Sequence, residues 1–151
     1  MELARFEPDV TWSEFVVVRL LRRWAAAREA ELNPLPSVVE LAAELGQETQ
    51  VAVTLHSVFQ LAESCLARRL QVECCCSHSL SADERAILTL IAVASIHGPM
   101  LTDRRVPHGL PGALCWAAAS ARLALRFCPR LIGNERRVCC PFEPQRSQSL
   151  G

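Results

Sequence analysis

The sequence contains no lysine and no tyrosine. All of its basic charge is arginine, which together with abundant alanine reads as the codon bias of a GC-rich genome and not as a functional signal. It has no C-x-x-C pair, so the usual zinc and thioredoxin-type spacings are missing. No glycine-rich loop is present to cradle a phosphate. No apolar run reaches the roughly 20 residues that a membrane-spanning helix needs. The first residues, MELARFEPDVTW, carry neither a basic n-region nor an apolar h-region. A secretory route is therefore not expected, and the expected location is the cytoplasm, where thiols stay reduced. No repeat is found at solenoid periods.

What is there is a chain of 151 residues, half of them apolar, with a formal net charge of zero. That suffices for one core without disulfides or metal. The expected organisation is a polar arm over 1–10, a single helical domain over 11–130, and a tail over 131–151 that is at least partly disordered. Charge is uneven: residues 1–97 hold 8 arginines against 13 acids, and residues 98–151 hold 8 arginines against 3 acids. Attraction between the two halves is the first reading of this asymmetry, and a basic face for an acidic partner is the second.

Periodicity and caps predict an all-α fold, with four main helices and one short helix around a buried central helix at about 82–97. Ser81-Ala82-Asp83-Glu84 is a capping box. After Arg85 no charged residue follows until Asp103, and Ile87, Leu88, Leu90, Ile91, Val93 and Ile96 leave no polar face, which predicts burial all round. Gly98-Pro99 should end this helix. Thr11-Trp12-Ser13-Glu14 is a second box, opening a helix to about Glu31. Trp12, Val16, Val17, Leu20, Leu21, Trp24 and Ala27 share its apolar face, with Arg19, Arg22 and Arg23 opposite. Phe15 and Val18 lie on that arginine side, either covered by another element or forming a contact patch. Pro34 and Pro36 read as a rigid linker, and Ser37-Val38-Val39-Glu40 as a third box before a short helix ending at Gly46. A long helix from about Glu48 to Leu70 carries the stripe Val51, Leu55, Val58, Phe59, Ala62, Cys65, Leu66 and Leu70. A last helix starts near Pro111 and runs to about Phe127, with an alanine face and a basic ridge of Arg122, Arg126 and Arg130.

Three constellations could carry chemistry. Cys74-Cys75-Cys76-Ser77-His78 reads first as a tight turn leading into the central helix. At least one thiol is then expected to be buried near Ile87 or Leu88, and at least one exposed. Its second reading is a zinc site using Cys74, Cys76 and His78, with Cys139 and Cys140 from the tail; a redox-active thiol comes third. Residues 38–61 have the helix–Gly–helix pattern of a DNA-binding helix-turn-helix. However, QETQVAVTLHS has no arginine for phosphate contacts, which disfavours nucleic acid. Cys65, Cys115 and Cys128 are expected as core or half-buried thiols, and His56, His97 and His108 stand alone.

Phe59-Gln60-Leu61, Glu63, Glu73-Cys74-Cys75-Cys76-Ser77 and Leu80-Ser81-Ala82-Asp83-Glu84-Arg85 resemble a family of small alphaproteobacterial proteins with a Cys-Cys-Cys box before a Ser/Thr-x-Asp-Glu helix start. The likeness covers about a third of the chain and implies a cytoplasmic helical protein with no catalytic residue. The expected function is a small non-enzymatic interaction or regulatory protein, without cofactor, that contacts another protein and neither a membrane nor nucleic acid. Phe15, Val18, Arg122, Arg126 and Arg130 are its candidate surface. The alternative is a zinc or thiol-redox protein using Cys74 and Cys76.

Overall fold

The computed structural model describes residues 10–94 and 109–127. Its helices are α1 (Trp12–Glu29), α2 (Pro34–Glu44), α3 (Thr49–Leu66), α4 (Ala82–Val93) and α5 (Gly109–Leu125). No strand occurs among the described residues, and the fold is all-α. Residues 1–9 of the expected polar arm, the tail from 131, Arg130, Cys128, Cys139, Cys140, His97 and His108 lie outside the described residues.

The capping chemistry places the helix starts. Thr11 accepts from the Glu14 N–H, and Glu14 accepts from the Thr11 N–H at 2.7 Å. The same box opens α4 at Ser81 and Glu84. At α2 the expectation needs correction. Asn33 is the N-cap, accepting from the Leu35 N–H, and Pro34 and Pro36 lie within the first helical turn. Proline there gives up an N–H that would have no helical partner anyway, so the presumed linker is helix. The ends of α1, α2 and α5 share one device, in which the chain turns through a left-handed residue at Glu31, Gly46 or Arg126. The next N–H then reaches back to Ala27, Ala42 or Arg122.

Helix α1 is the most enclosed element. Phe15, Val16, Val17 and Val18 make a full buried turn, followed by Leu20, Leu21, Arg22 and Trp24. Phe15 and Val18 are therefore covered and offer no surface to a partner. Helix α4 buries Glu84, Ile87, Leu88 and Ile91 but leaves Ala86, Thr89 and Val93 exposed, Val93 at 69 %. It is a wall of the bundle and not its axis. It also ends earlier than Gly98, because Ala94 takes an extended conformation. Lack of a polar face showed only that α4 tolerates burial.

Helix α3 turns Val51, Ala52, Leu55, Val58, Phe59 and Ala62 inward. It lies along α5, whose Ala117, Ala118 and Ala121 permit a close approach. The hydroxyls of Thr54, Ser57 and Ser64 bond back to carbonyls four residues earlier, which keeps polar residues compatible with the helix. Cys65 and Cys115, expected in or near the core, are exposed.

Where α1 meets α3, the Trp24 ring stands edge-on to Phe59 at 5.7 Å between centroids. Its Nε1–H donates to His56 Nδ1 at 3.1 Å. That nitrogen must be unprotonated to accept. Burial, and next the Arg28 charge, push the His56 pKa below its ordinary 6.5. The unfolded chain thus binds this proton more readily than the folded one. Stability from the contact is complete above pH 6.5 and declines as pH falls below it toward the folded value. Urea unfolding at pH 7.5 and 5.5 should show a loss at the lower pH that is smaller in a His56→Gln variant; equal losses would remove His56 as its source.

Candidate functional site

Between α3 and α4 the chain runs through residues 67–81 without regular structure. Ala67 ends α3 in the left-handed region with φ 51°. From there the loop's polar backbone is tied to side chains at its borders. The Leu70 N–H donates to Glu63, the Gln71 N–H to Asp83 at 2.7 Å, and the Glu73 N–H to Glu84. The Ser81 hydroxyl donates to the Gln71 carbonyl. Asp83 also receives both Arg68 terminal nitrogens. The Arg68 hydrogen bonds, and next the Gln71 N–H, hold the Asp83 carboxyl down at about 2. The box at Ser81-Ala82-Asp83-Glu84 thus starts a helix and anchors the loop before it.

The buried anchor is Arg22. It is 4 % exposed and its partner Glu84 is 0 % exposed. Arg22 Nε donates to Glu84 Oε1 at 2.6 Å and Nη2 to Oε2 at 3.1 Å. The remaining guanidinium hydrogens go to loop carbonyls: Nη1 to Cys74 and Ser77, Nη2 to Ser79. Arg19, one turn earlier on α1, adds a longer contact to the Cys75 carbonyl at 3.4 Å. A guanidinium has five N–H donors in a fixed plane, and here each has an acceptor. The ion pair therefore determines the loop's path as well as joining α1 to α4.

This arrangement overturns the expected burial of a thiol. Cys74, Cys75 and Cys76 are all exposed. At Cys74, Cys75, Ser77 and Ser79 the loop turns carbonyls toward Arg22 and Arg19, which donate to them, and the three cysteine side chains are left outside. The Ser77 N–H closes a turn onto the Cys74 carbonyl at 3.0 Å. That turn sets Cys74 Sγ and Cys76 Sγ 2.9 Å apart. The hydrogen bond from Cys76, then the N–H groups of Cys76 and Ser77, lower the Cys74 pKa, and the Arg22 charge adds to this. The Cys76 thiol is pushed up, first by donating to Cys74 and then by the Cys74 charge. One sulfur–sulfur hydrogen bond thus links the two thiols.

The other candidates are placed differently. His78 is exposed on the same loop. Sulfurs bound to one tetrahedral zinc at about 2.3 Å lie about 3.8 Å apart; Cys74 and Cys76 are closer than that. Among the described residues no group of three His, Cys, Asp or Glu is arranged to hold a metal ion. Arg122 does not stand free on a ridge, because its Nη1 donates to the Ala94 carbonyl at 2.7 Å. Arg126 is exposed just past the end of α5.

Sequence reading missed Arg22 and Glu84 as the centre of the site. A signal was available: Phe15, Val18 and Arg22 follow the i, i+3, i+7 spacing of one helix face. Two large apolar residues on that line indicate a second buried side, where an arginine needs a carboxylate partner. Searches of protein families, curated proteins and solved structures return no match, so function has to be read from this geometry.

Replacing Glu84 with glutamine leaves the Arg22 charge buried without its counterion. A loss of about 3–5 kcal/mol in urea unfolding is expected, together with faster proteolysis within residues 70–80. A loss below about 1 kcal/mol, the range of a surface pair, would show that the loop does not depend on this ion pair.

Proposed function

We propose that this is a small cytoplasmic, non-enzymatic regulatory protein that acts on another protein, with the Cys74–Cys76 dithiol as its redox-sensing element. The observation that carries this reading is the 2.9 Å approach of two exposed sulfurs on a loop pinned from behind. Reactive thiols are accessible and lie in an electropositive setting, whereas structural thiols are buried. Cytosolic disulfides, where they form, are mostly transient and catalytic or redox-sensing. To form the bond the sulfurs must close to about 2.05 Å. Because Arg22 holds the carbonyls of Cys74 and Ser77, strain in the turn would reach α1 and α4 through that side chain.

The protein-interaction half of the reading draws support from α5. Trp116 and Leu123, seven residues apart on one side of the helix, are 49 % and 56 % exposed. A helix-turn-helix role draws none, since α3 spends its apolar face on neighbouring helices and its exposed Gln50, Val53, Gln60 and Ser64 carry no positive charge. No helix of the described residues is long and apolar enough to cross a membrane.

The test equilibrates native protein in glutathione buffers from reducing to oxidising, quenches with acid and locates disulfides by peptide mass spectrometry. The expected result is an intramolecular Cys74–Cys76 bond, two hydrogens lighter, that reverts in dithiothreitol. Free Cys74 and Cys76 in the most oxidising buffer, with the fold intact, would refute the proposal. So would stoichiometric zinc in protein purified without a metal-affinity step and lost in a Cys74→Ser, Cys76→Ser variant; that result would establish the zinc alternative.

A further inference from the structure

The spacing of the two sulfurs limits what can join them. Cys74 Sγ and Cys76 Sγ stand 2.9 Å apart at exposed positions. The turn between them is closed by the Ser77 N–H on the Cys74 carbonyl, and Arg22 holds the Cys74 and Ser77 carbonyls. A direct bond needs about 2.05 Å, so the sulfurs would have to close by about 0.9 Å. Tetrahedral zinc, with bonds of about 2.3 Å, would open them by about the same amount. A linear two-coordinate ion at that bond length would need them about 4.6 Å apart. A pyramidal three-coordinate centre has bond angles close to a right angle. At the same bond length it seats two sulfurs about 3.3 Å apart, which asks for a shift of only about 0.4 Å. Ligand number points the same way. Among the described residues no group of three His, Cys, Asp or Glu is arranged to hold an ion. A centre that takes two sulfurs from the protein and brings its own third substituent fits what is there.

Resting on the dithiol reading above, we infer that Cys74 and Cys76 form a two-sulfur site for trivalent arsenic of the form R–As(OH)2. R is an organic group or, in arsenite, a third hydroxyl. Arsenic in this state is pyramidal and soft, and soft centres take thiolates before oxygen or nitrogen ligands. In binding, two As–O bonds break and two As–S bonds form. Each thiol proton leaves with a hydroxyl, so two waters are released. Arsenic stays trivalent, and nothing is oxidised or reduced. Either sulfur can bond first. The second bond is then intramolecular, and the held turn presents its sulfur at contact distance. A one-atom bridge thus disturbs the turn less than a direct bond would. It also occupies both sulfurs, so a bound arsenical blocks disulfide formation between them.

The probe is phenylarsine oxide, which hydrates in water to the R–As(OH)2 form. The full chain carries Cys139→Ser and Cys140→Ser, which removes its other neighbouring cysteines. Binding is titrated in thiol-free buffer and read by intact mass, with circular dichroism to confirm that each variant folds. One phenylarsine per chain is expected. Cys74→Ser and Cys76→Ser, both at exposed positions, should each weaken binding at least about tenfold, because the second bond is lost. Cys75→Ser should leave it unchanged. Full binding by either of the first two variants, or its loss in Cys75→Ser, would overturn the site. Unfolding in urea should weaken binding about threefold or more, since the turn no longer keeps the sulfurs together. Equal affinity in the folded and unfolded chain would overturn the claim that the folded spacing selects the ligand. Failure of the two readings is distinguishable. A protein that forms the Cys74–Cys76 disulfide in oxidising glutathione but does not bind phenylarsine overturns this inference alone. One that binds phenylarsine at these two residues but forms no disulfide supports the site and refutes redox sensing.

Discussion

The Arg22–Glu84 pair is the interaction on which the rest of this structure depends. Burying two opposite charges costs several kcal/mol per ion in lost hydration. Mutual attraction alone seldom recovers that, so such a pair persists where further hydrogen bonds complete it. Here Glu84 accepts from Arg22, the Glu73 N–H and the Ser81 N–H, while Arg22 supplies three loop carbonyls besides. An apolar pair of equal volume could fill the same space between α1 and α4. It could not satisfy those carbonyls, and a loop with no regular structure has few other donors. In this setting the ion pair acts less as a source of stability than as a choice of one loop path among many.

That choice decides where the cysteines go. A carbonyl and its side chain cannot both point at the same arginine, and in this turn the carbonyls have the stronger claim. An unpaired buried carbonyl costs about 1–3 kcal/mol, more than a small thiol gains by burial. The three sulfurs are left at the surface, with two of them in contact. A free loop would let the sulfurs separate and sample many distances. Pinning its carbonyls keeps them within reach of each other, which is how a scaffold raises the effective concentration of two reacting groups. The same arginine that orders the backbone adds a small share to the lowering of the Cys74 pKa, most of which comes from the hydrogen bond with Cys76.

Much of the fold was legible in the sequence because helix starts and stripes are local. The boxes at Thr11 and Ser81, the stripe of α3 and the alanine face of α5 all rest on spacing within one helix. What was not legible depends on partners distant in sequence. Pro34 and Pro36 look alike as linker or first turn until Asn33 is seen to cap Leu35. The uniform apolarity of α4 could not say how many neighbours surround it. Treating the cysteines as small apolar side chains followed the usual preference and ignored what the backbone between them required. Arg22 was placed opposite the apolar face of α1, and Phe15 and Val18 on the same line were the sign that this side is buried as well.

The size of the ring also bears on what a Cys74–Cys76 bond could be for. A disulfide stabilises mainly by closing a long loop in the unfolded chain, and two cysteines separated by one residue close almost none. As a staple the bond would add little. Its formation would instead compete with the turn already held by the Ser77 N–H and by Arg22, so the oxidised state would carry strain that the reduced state lacks. Strained and exposed disulfides are the readily reduced ones. A bond that adds little stability, strains its turn and lies open to small thiols is suited to forming and breaking repeatedly. Its position over Arg22, which joins α1 to α4 and to the loop that precedes α4, would give each such event a route into the fold.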